Sequence, residues 1–168
     1  MKNLAVIHDR DVGSDTPDPN VYRERAAARA VVFDADNNIA LLNATVNNYH
    51  KLPGGGINDG EDVVEALKRE CIEEIGCAIK DVVELGSVEE FRNQIGLHQW
   101  SYTYTAKLDG EKGVPHLEQS EIDEGFETVW MPLDAAIKTL ESELESDIYL
   151  ARFMTRRDLA ILKAARGV

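Results

Sequence analysis

The stretch from 54 to 77, GGGINDGEDVVEALKRECIEEIGC, concentrates acidic side chains behind a run of three glycines. Within it, Glu70, Glu73 and Glu74 are spaced i, i+3 and i+4, so they share one face of a helix. Three carboxylates on one face repel each other, and a metal ion or a proton relieves that repulsion. The pattern indicates either a site for a hard divalent cation such as Mg²⁺ or Mn²⁺, or an acidic helix that faces solvent.

Both ends of this helix are signalled by the residue types that favour helix termini. Asp62 is a favourable N-cap residue, and Glu65 follows at the capping-box spacing. Gly76 is a favourable residue just past the last helical turn. The sequence therefore predicts a helix over 63–75. Its apolar stripe consists of Val64, Leu67, Cys71 and Ile75.

The spacing of this stretch resembles the signature box of the Nudix hydrolases. The pattern is Gly55, five residues, Glu61, seven residues, and then RECIEEIGC over 69–77. Every polar and glycine position of the box is matched, while Cys71 and Cys77 stand where Leu, Ile or Val is usual. This departure is mild because a buried thiol behaves as a small hydrophobe. The order of the flanking elements extends the resemblance to about residues 22–132.

The resemblance implies a metal site next to the glycine run. Glu73 and Glu74 would be direct ligands of Mg²⁺ or Mn²⁺, helped by the backbone carbonyl of Gly54. Glu70 would be either a further ligand or the general base that takes a proton from the attacking water. A divalent cation neutralises phosphate oxygens and lowers the pKa of a water bound to it, which is the chemistry that a phosphoanhydride requires.

The other residues of the box are expected to support this site. Arg69 would orient the carboxylates, with Glu61 and Glu73 as partners, because a guanidinium forks well between two acids. Gly55, Glu61 and Gly76 would be structural residues.

A further carboxylate could come from the polar connection over 109–127. Nudix enzymes often place an acid in the matching region, to assist the metal or to act as the base. Glu118, Glu121 and Glu124 are the choices, and Glu121 is the prediction. The alternative is ordinary solvated loop charge, since long polar connections are either functional or mobile.

Three residues outside the box are candidates for substrate contact. Arg29 is the one charge within a predicted strand over 26–33, where it pairs with a carboxylate or contacts the substrate. Tyr49 lies just before the box, and Arg92 lies in a predicted connection over 92–96.

Taken with the resemblance, these residues predict a metal-dependent pyrophosphohydrolase. It would cleave a nucleoside diphosphate linked to another moiety, as in a nucleotide sugar or a nucleoside triphosphate. The alternative is a catalytically inactive sensor of the same fold that binds nucleotides. The complete set of box carboxylates favours the enzyme, and the sequence does not identify the substrate.

Composition limits the partners and the location of the chain. Its 168 residues carry 31 acidic and 18 basic side chains, a net charge of −13. This charge disfavours binding to nucleic acid polymers or to anionic membranes. The chain has no recognisable signal peptide or membrane span, so we expect a cytoplasmic protein whose two cysteines are reduced core residues. The N-terminal segment is expected either to pair across a homodimer or to cover an edge of its own sheet.

The order of elements predicts an α/β (α+β) fold with a mixed sheet sandwiched between helices. We expect an N-terminal extension of a short strand and a loop over 1–20, followed by a Nudix-like hydrolase domain over 21–168. Predicted strands lie at 26–33, 39–43, 81–91, 99–108 and 128–131, and predicted helices at 133–140 and 148–165. The strand over 99–108 alternates strictly, so its aromatic face, starting at Trp100, is expected to be the buried one.

Overall fold

A seven-stranded mixed sheet forms the centre of the protein in the computed structural model, which describes residues 1–167. Its strands are β1 (Asn3–His8), β2 (Arg23–Phe33), β3 (Asn38–Ala44), β4 (Tyr49–Lys51), β5 (Ala78–Arg92), β6 (Leu97–Asp109) and β7 (Phe126–Pro132). Their order is β1-β5-β6-β2-β3-β4, and β7 pairs with β3. Two strand pairs, β1 with β5 and β2 with β6, are parallel, and the others are antiparallel.

Helices cover both faces of this sheet, as predicted. They are α1 (Val63–Ile75), α2 (Gln119–Asp123), α3 (Leu133–Ser142) and α4 (Tyr149–Ala165). Along β3, Ala40 and Leu42 pack into one core with α1, while Ile39 and Leu41 pack into a second core with α3 and α4. This alternation follows from the two-residue period of a strand. No helix within residues 1–167 is long and apolar enough to cross a membrane.

The predicted boundary of α1 is confirmed at both ends, whereas other elements differ. Strand β5 begins at Ala78 rather than at residue 81, because irregular pairing near Lys80 and Glu84 interrupts the period-two pattern. Helix α3 continues beyond the predicted residue 140 to Ser142, and α4 begins one residue later than predicted, at Tyr149.

The polar face of β6 is the more fully buried one over 99–103, which corrects the expectation that its aromatic face is the buried one, since Trp100 and Tyr102 are only partly buried. Gln99, Ser101 and Thr103 on the polar face have no exposed surface. They are satisfied internally: Gln99 donates to Glu90 at 2.8 Å, and Thr103 donates to the Gly86 carbonyl at 2.8 Å. A sheet that is covered on both sides buries polar residues when they find such partners.

The N-terminal residues add β1 to the edge of the sheet, beside β5. The short predicted strand is therefore confirmed, and a 3-10 helix over Asp9–Val12 follows it. The Asp9 side chain is almost fully buried, and it accepts hydrogen bonds from the Asn93 backbone N–H and the Tyr149 hydroxyl. These contacts anchor the segment to the end of β5 and to α4.

The two cysteines are free and buried, as predicted. Cys71 and Cys77 belong to the core that packs against α1, where burial raises the pKa of the Cys71 thiol. They therefore fill apolar positions of the box in the way that Leu or Val would.

Candidate active site

Helix α1 is fixed at its start by a side-chain cap and at its end by a glycine. Asp62 accepts hydrogen bonds from the backbone N–H groups of Val64 and Glu65, at 2.9 and 3.3 Å. Gly76 ends the helix with φ +65°, and a Cβ there would lie 2.6 Å from a backbone atom of Val114. The close approach and the left-handed φ both require glycine at residue 76.

The glycine run lies between β2 and α1, where a side chain at Gly54 would collide with backbone and one at Gly55 would displace the Glu70 carboxylate. Gly54 has φ +131°, and a Cβ there would lie 2.1 Å from the Ala28 carbonyl oxygen. A Cβ on Gly55 would lie 2.3 Å from the carboxylate of Glu70. The run therefore lets a carboxylate of α1 rest directly against the backbone.

A cavity of about 370 Å³ opens beside this run and gathers most of the predicted site residues. Its acidic lining residues, called the acidic side below, are Glu70, Glu73, Glu74, Glu118 and Glu121, and the three glycines 54–56 also line it. Its basic lining residues, called the basic side below, are Arg25, Arg29, Arg92 and Arg157, while Arg69 and Lys51 pair with the acids. Tyr49, Glu61 and Gly76 do not line it.

Arg69 connects the carboxylates of the box. Its Nε and Nη2 donate to the two oxygens of Glu61 at 2.9 and 3.0 Å, and its Nη1 donates to Glu70 at 2.7 Å and to Glu73 at 3.1 Å. The hydrogen bonds from Arg69 lower the pKa of Glu61 to about 2. The two expected partners of Arg69 are both found, and Glu70 is a third.

Glu74 is held by a lysine and by the glycine run. It is only 3% exposed, its Oε1 lies 2.9 Å from the Lys51 ammonium, and its Oε2 accepts from the Gly54 N–H at 2.6 Å. The Lys51 ammonium also lies 4.4 Å from the centre of the Phe126 ring. A protein cation thus lies against the most buried carboxylate of the site.

Two carboxylates in the cavity have raised pKa values. Burial raises the pKa of Glu70, and the charge of Glu74 adds to this effect against the opposing contribution of Arg69. Burial also raises the pKa of Glu121, whose Oε2 accepts from the Glu118 N–H at 2.8 Å at the start of α2. A carboxylate with a raised pKa is better suited to accept a proton near neutral pH.

The donor set fits a hard divalent cation, although the acids are paired with protein cations. The acidic side offers only oxygen atoms, from carboxylates and backbone, which are the ligands that Mg²⁺ and Mn²⁺ prefer. Within residues 1–167, no three His, Cys, Asp or Glu side chains converge closely enough to hold a metal ion. The carboxylates of α1 face protein cations instead: Arg69 pairs with Glu70 and Glu73, and Lys51 pairs with Glu74.

Arg29 and Arg92 both lie on the basic side. Arg29 is 5% exposed and takes part in no ion pair found in residues 1–167, so the expected pairing with a carboxylate is wrong. Its only hydrogen bond there is a long one, 3.4 Å, to the Ala28 carbonyl. Arg92 is the last residue of β5 rather than part of a connection, and its Nη2 lies 2.7 Å from Glu90.

Tyr49 lies in a neighbouring pocket that shares Lys51 and Glu121 with the main cavity. Its hydroxyl donates to Glu124 at 2.7 Å. Of the three carboxylates considered in the 109–127 connection, Glu118 and Glu121 line the main cavity, whereas Glu124 accepts the hydrogen bond from Tyr49.

Sequence reasoning missed the contribution of α4 to the site. Arg157 and Asp158 are 1% and 0% exposed, and the Arg157 Nε lies 2.6 Å from Asp158 Oδ1. Asp158 also accepts from the Leu52 N–H at 2.8 Å, which ties the helix to the segment before the glycine run. The available signal was an Arg-Asp pair amid the apolar positions of the helix predicted over 148–165.

Comparisons with known proteins agree with this architecture. The NUDIX domain matches residues 23–153, and no curated protein matches the chain. The fold is similar to a NUDIX hydrolase from Nitrosomonas europaea, with a TM-score of 0.60 and 16% identity over 80% of this chain and 88% of that one. It is also similar to a mutator MutT protein from Bacillus halodurans, with a TM-score of 0.56 and 23% identity over 68% and 72% of the two chains.

A third similar structure is a MutT protein from Methanosarcina mazei Go1, with a TM-score of 0.53 and 19% identity over 82% of this chain and 94% of that one. Because these identities are all below 25%, the structural matches support the fold alone. The domain match covers most of the chain and includes both the glycine run and α1. The chain therefore belongs to the Nudix hydrolase family, whose members generally hydrolyse nucleoside diphosphate derivatives.

Proposed function

We propose that this protein is a pyrophosphohydrolase that depends on Mg²⁺ or Mn²⁺ and cleaves a nucleoside diphosphate linked to another moiety. The observation that carries the proposal is a single cavity that is lined both by carboxylates of α1 and by buried arginines. A phosphoanhydride needs both, because its charge must be neutralised while a water is directed to phosphorus.

The proposed metal ligands are Glu73 and Glu74, with the Gly54 carbonyl, and Glu70 is proposed either as a further ligand or as the general base. A divalent cation held there would supply neutralisation of the phosphate oxygens and activation of a water. The chain itself would keep the acids in position through Arg69, which donates to both Glu70 and Glu73. Lys51 would exchange its contact with Glu74 for a substrate oxygen, since it is a mobile point charge on a flexible stem.

Glu70 and Glu121 are the two candidates for the general base, and Glu70 takes this role if it is not a metal ligand. Both line the cavity, and burial raises the pKa of each. Glu70 lies against Gly55, so its carboxylate occupies the space that a side chain on residue 55 would fill. The proton of the attacking water would go to a carboxylate oxygen of the residue that acts as the base, within the cavity.

Substrate contacts are proposed for Arg29, Arg92 and Tyr49. The two arginines would donate to phosphate oxygens, for which their position on the basic side is favourable. Tyr49 would contact a part of the substrate that extends past Lys51 into the neighbouring pocket. The identity of the moiety linked to the nucleoside diphosphate is left to experiment.

One observation favours the alternative, a sensor of the same fold that binds nucleotides without cleaving them. The α1 carboxylates are already neutralised by Arg69 and Lys51. A sensor would keep these ion pairs and use only the basic side of the cavity.

A screen of nucleoside diphosphate derivatives with and without Mg²⁺ separates the two functions. We expect wild type to release a monophosphate only with the metal, and Glu70→Gln to lose most of that activity. Glu65→Gln is the matched control, because Glu65 lies on the same helix, is exposed and does not line the cavity. Tight nucleotide binding without turnover by wild type would support the sensor instead.

A further inference from the structure

The basic side of the cavity contains buried donor atoms without partners. Within residues 1–167, Arg29 Nε, Arg92 Nε and Arg157 Nη1 are buried and make no hydrogen bond. Their side chains are 5%, 6% and 1% exposed, and all three line the same cavity. A buried donor without a partner costs free energy, so three that share one cavity point to a ligand that accepts hydrogen bonds.

The charges around these donors do not balance. Arg25, Arg29, Arg92 and Arg157 line the cavity, and the carboxylates that pair with this group are Glu90 and Asp158. Burial, together with the charge of Arg157, lowers the pKa of Arg29 to about 10. Four arginines thus share two carboxylates within ion-pair distance, while the charge of Glu70 also acts on Arg25 and that of Glu74 on Arg29 and Arg157.

The acceptors close to these arginines are already occupied. Glu90 accepts from Arg92 and from Gln99, and the Gln99 oxygen accepts from Arg25 at 2.9 Å. The Asp158 oxygens accept from Arg157 and from the Leu52 N–H. The basic side of the cavity therefore offers hydrogen-bond donors and positive charge but few free acceptors. This combination suits an oxyanion better than a neutral base or a sugar.

We propose that Arg29, Arg92 and Arg157 form a second anion subsite, which binds a phosphate group of the substrate beyond the bond that is cleaved. This inference rests on the proposed function, in which the phosphates of the cleaved bond lie at the acidic side with the metal. The substrate class is then a nucleoside diphosphate derivative that carries a further phosphate, rather than one that ends in a neutral sugar.

Isothermal titration calorimetry tests the subsite. Inorganic phosphate is titrated into the metal-free protein in a buffer with EDTA, and the affinity for phosphate is measured. Arg29→Met removes the guanidinium that has no carboxylate partner and keeps most of the side-chain volume. Arg23→Met is the matched control, because it makes the same change on the exposed start of β2, outside the cavity. We expect Arg29→Met to bind phosphate at least about tenfold more weakly and Arg23→Met to bind like wild type.

Thermal unfolding of the same variants separates a ligand site from a structural one. Removal of an unpaired buried charge should leave the melting temperature of Arg29→Met equal to or above that of wild type. A clearly lower melting temperature with unchanged phosphate binding would make Arg29 a structural residue and overturn the subsite.

A second arm compares AMP with adenosine 3′,5′-bisphosphate, which differ by one phosphate group. We expect wild type to bind the bisphosphate at least about tenfold more tightly, and Arg29→Met to bind the two alike. Equal binding of both by wild type, with phosphate still bound through Arg29, would assign the arginines to the cleaved bond and overturn the second subsite. Because these titrations contain no metal and no turnover, their failure would leave the hydrolase activity standing.

Discussion

Gly55→Ala should disable the active site without unfolding the protein. The new Cβ would lie 2.3 Å from the Glu70 carboxylate, whereas carbon atoms pack at about 3.5 Å. The carboxylate must therefore move by about 1.2 Å, and it can, because it is the end of a flexible side chain. A displacement of about 1 Å in a catalytic group can cost about 100-fold in rate, or about 2.7 kcal/mol of barrier.

The stability of Gly55→Ala should change little. Gly55 does not have a left-handed φ, so alanine fits its backbone, and Gly to Ala at such a position changes stability by less than about 1 kcal/mol. The assay is kcat on the substrate found in the screen, together with urea unfolding. The expected result is a kcat about 100-fold lower with a free energy of unfolding close to that of wild type.

Two neighbouring glycines supply the controls. Gly60→Ala puts a Cβ into open space at φ +77°, so it should cost about 1 kcal/mol of stability and leave kcat unchanged. Gly54→Ala would place a Cβ 2.1 Å from the backbone oxygen of Ala28, so it should destabilise the fold by more than about 2 kcal/mol. A folded Gly55→Ala with wild-type kcat would refute the placement of Glu70 at the reacting centre.

Three further substitutions test the supports of the site. Glu61 has a folded-state pKa of about 2, below its ordinary 4.5, so its ionised form stabilises the protein above pH 4.5 and this stabilisation is lost as the pH falls toward 2. The difference in urea unfolding between wild type and Glu61→Gln should therefore shrink across that range, and a constant difference would contradict the ion pair. Arg69→Lys keeps the positive charge but loses the forked hydrogen bonds to three acids. Activity should therefore fall by about 10- to 100-fold with a small change in stability, and wild-type activity would count against the orienting role of Arg69. Asp158→Asn leaves the buried Arg157 without its closest counter-charge and should cost about 3 kcal/mol in urea unfolding, whereas a change below about 1 kcal/mol would show that the pair is dispensable.

The parts of the site that depend on local sequence could be predicted, because their causes lie within a few residues. The cap at Asp62 and the left-handed glycine at Gly76 lie directly before and after the helix whose ends they mark. The predicted helix therefore matches α1 residue for residue. The partners of Arg69 follow from helical spacing and from the box, and two of the three were predicted.

The basic side could not be predicted, because it depends on contacts between distant parts of the chain. Arg157 reaches Glu90 on another element, and Asp158 accepts from Leu52, 106 residues earlier. The burial of Gln99 likewise depends on covering of the second face of the sheet, which a strand pattern alone does not reveal. Period-two alternation there predicts one apolar face and one solvated face. The buried polar face is tolerated because Gln99 finds hydrogen-bond partners on β2 and β5.

The most direct test of the central claim is Mn²⁺ binding, measured by the loss of the electron paramagnetic resonance signal of the free ion. Wild type and Glu65→Gln should bind the ion alike, while Glu73→Gln, which changes a more exposed acid of the cavity, should bind it about tenfold or more weakly. Absence of Mn²⁺ binding by wild type, or equal binding by Glu73→Gln, would contradict a cation site on the carboxylates of α1.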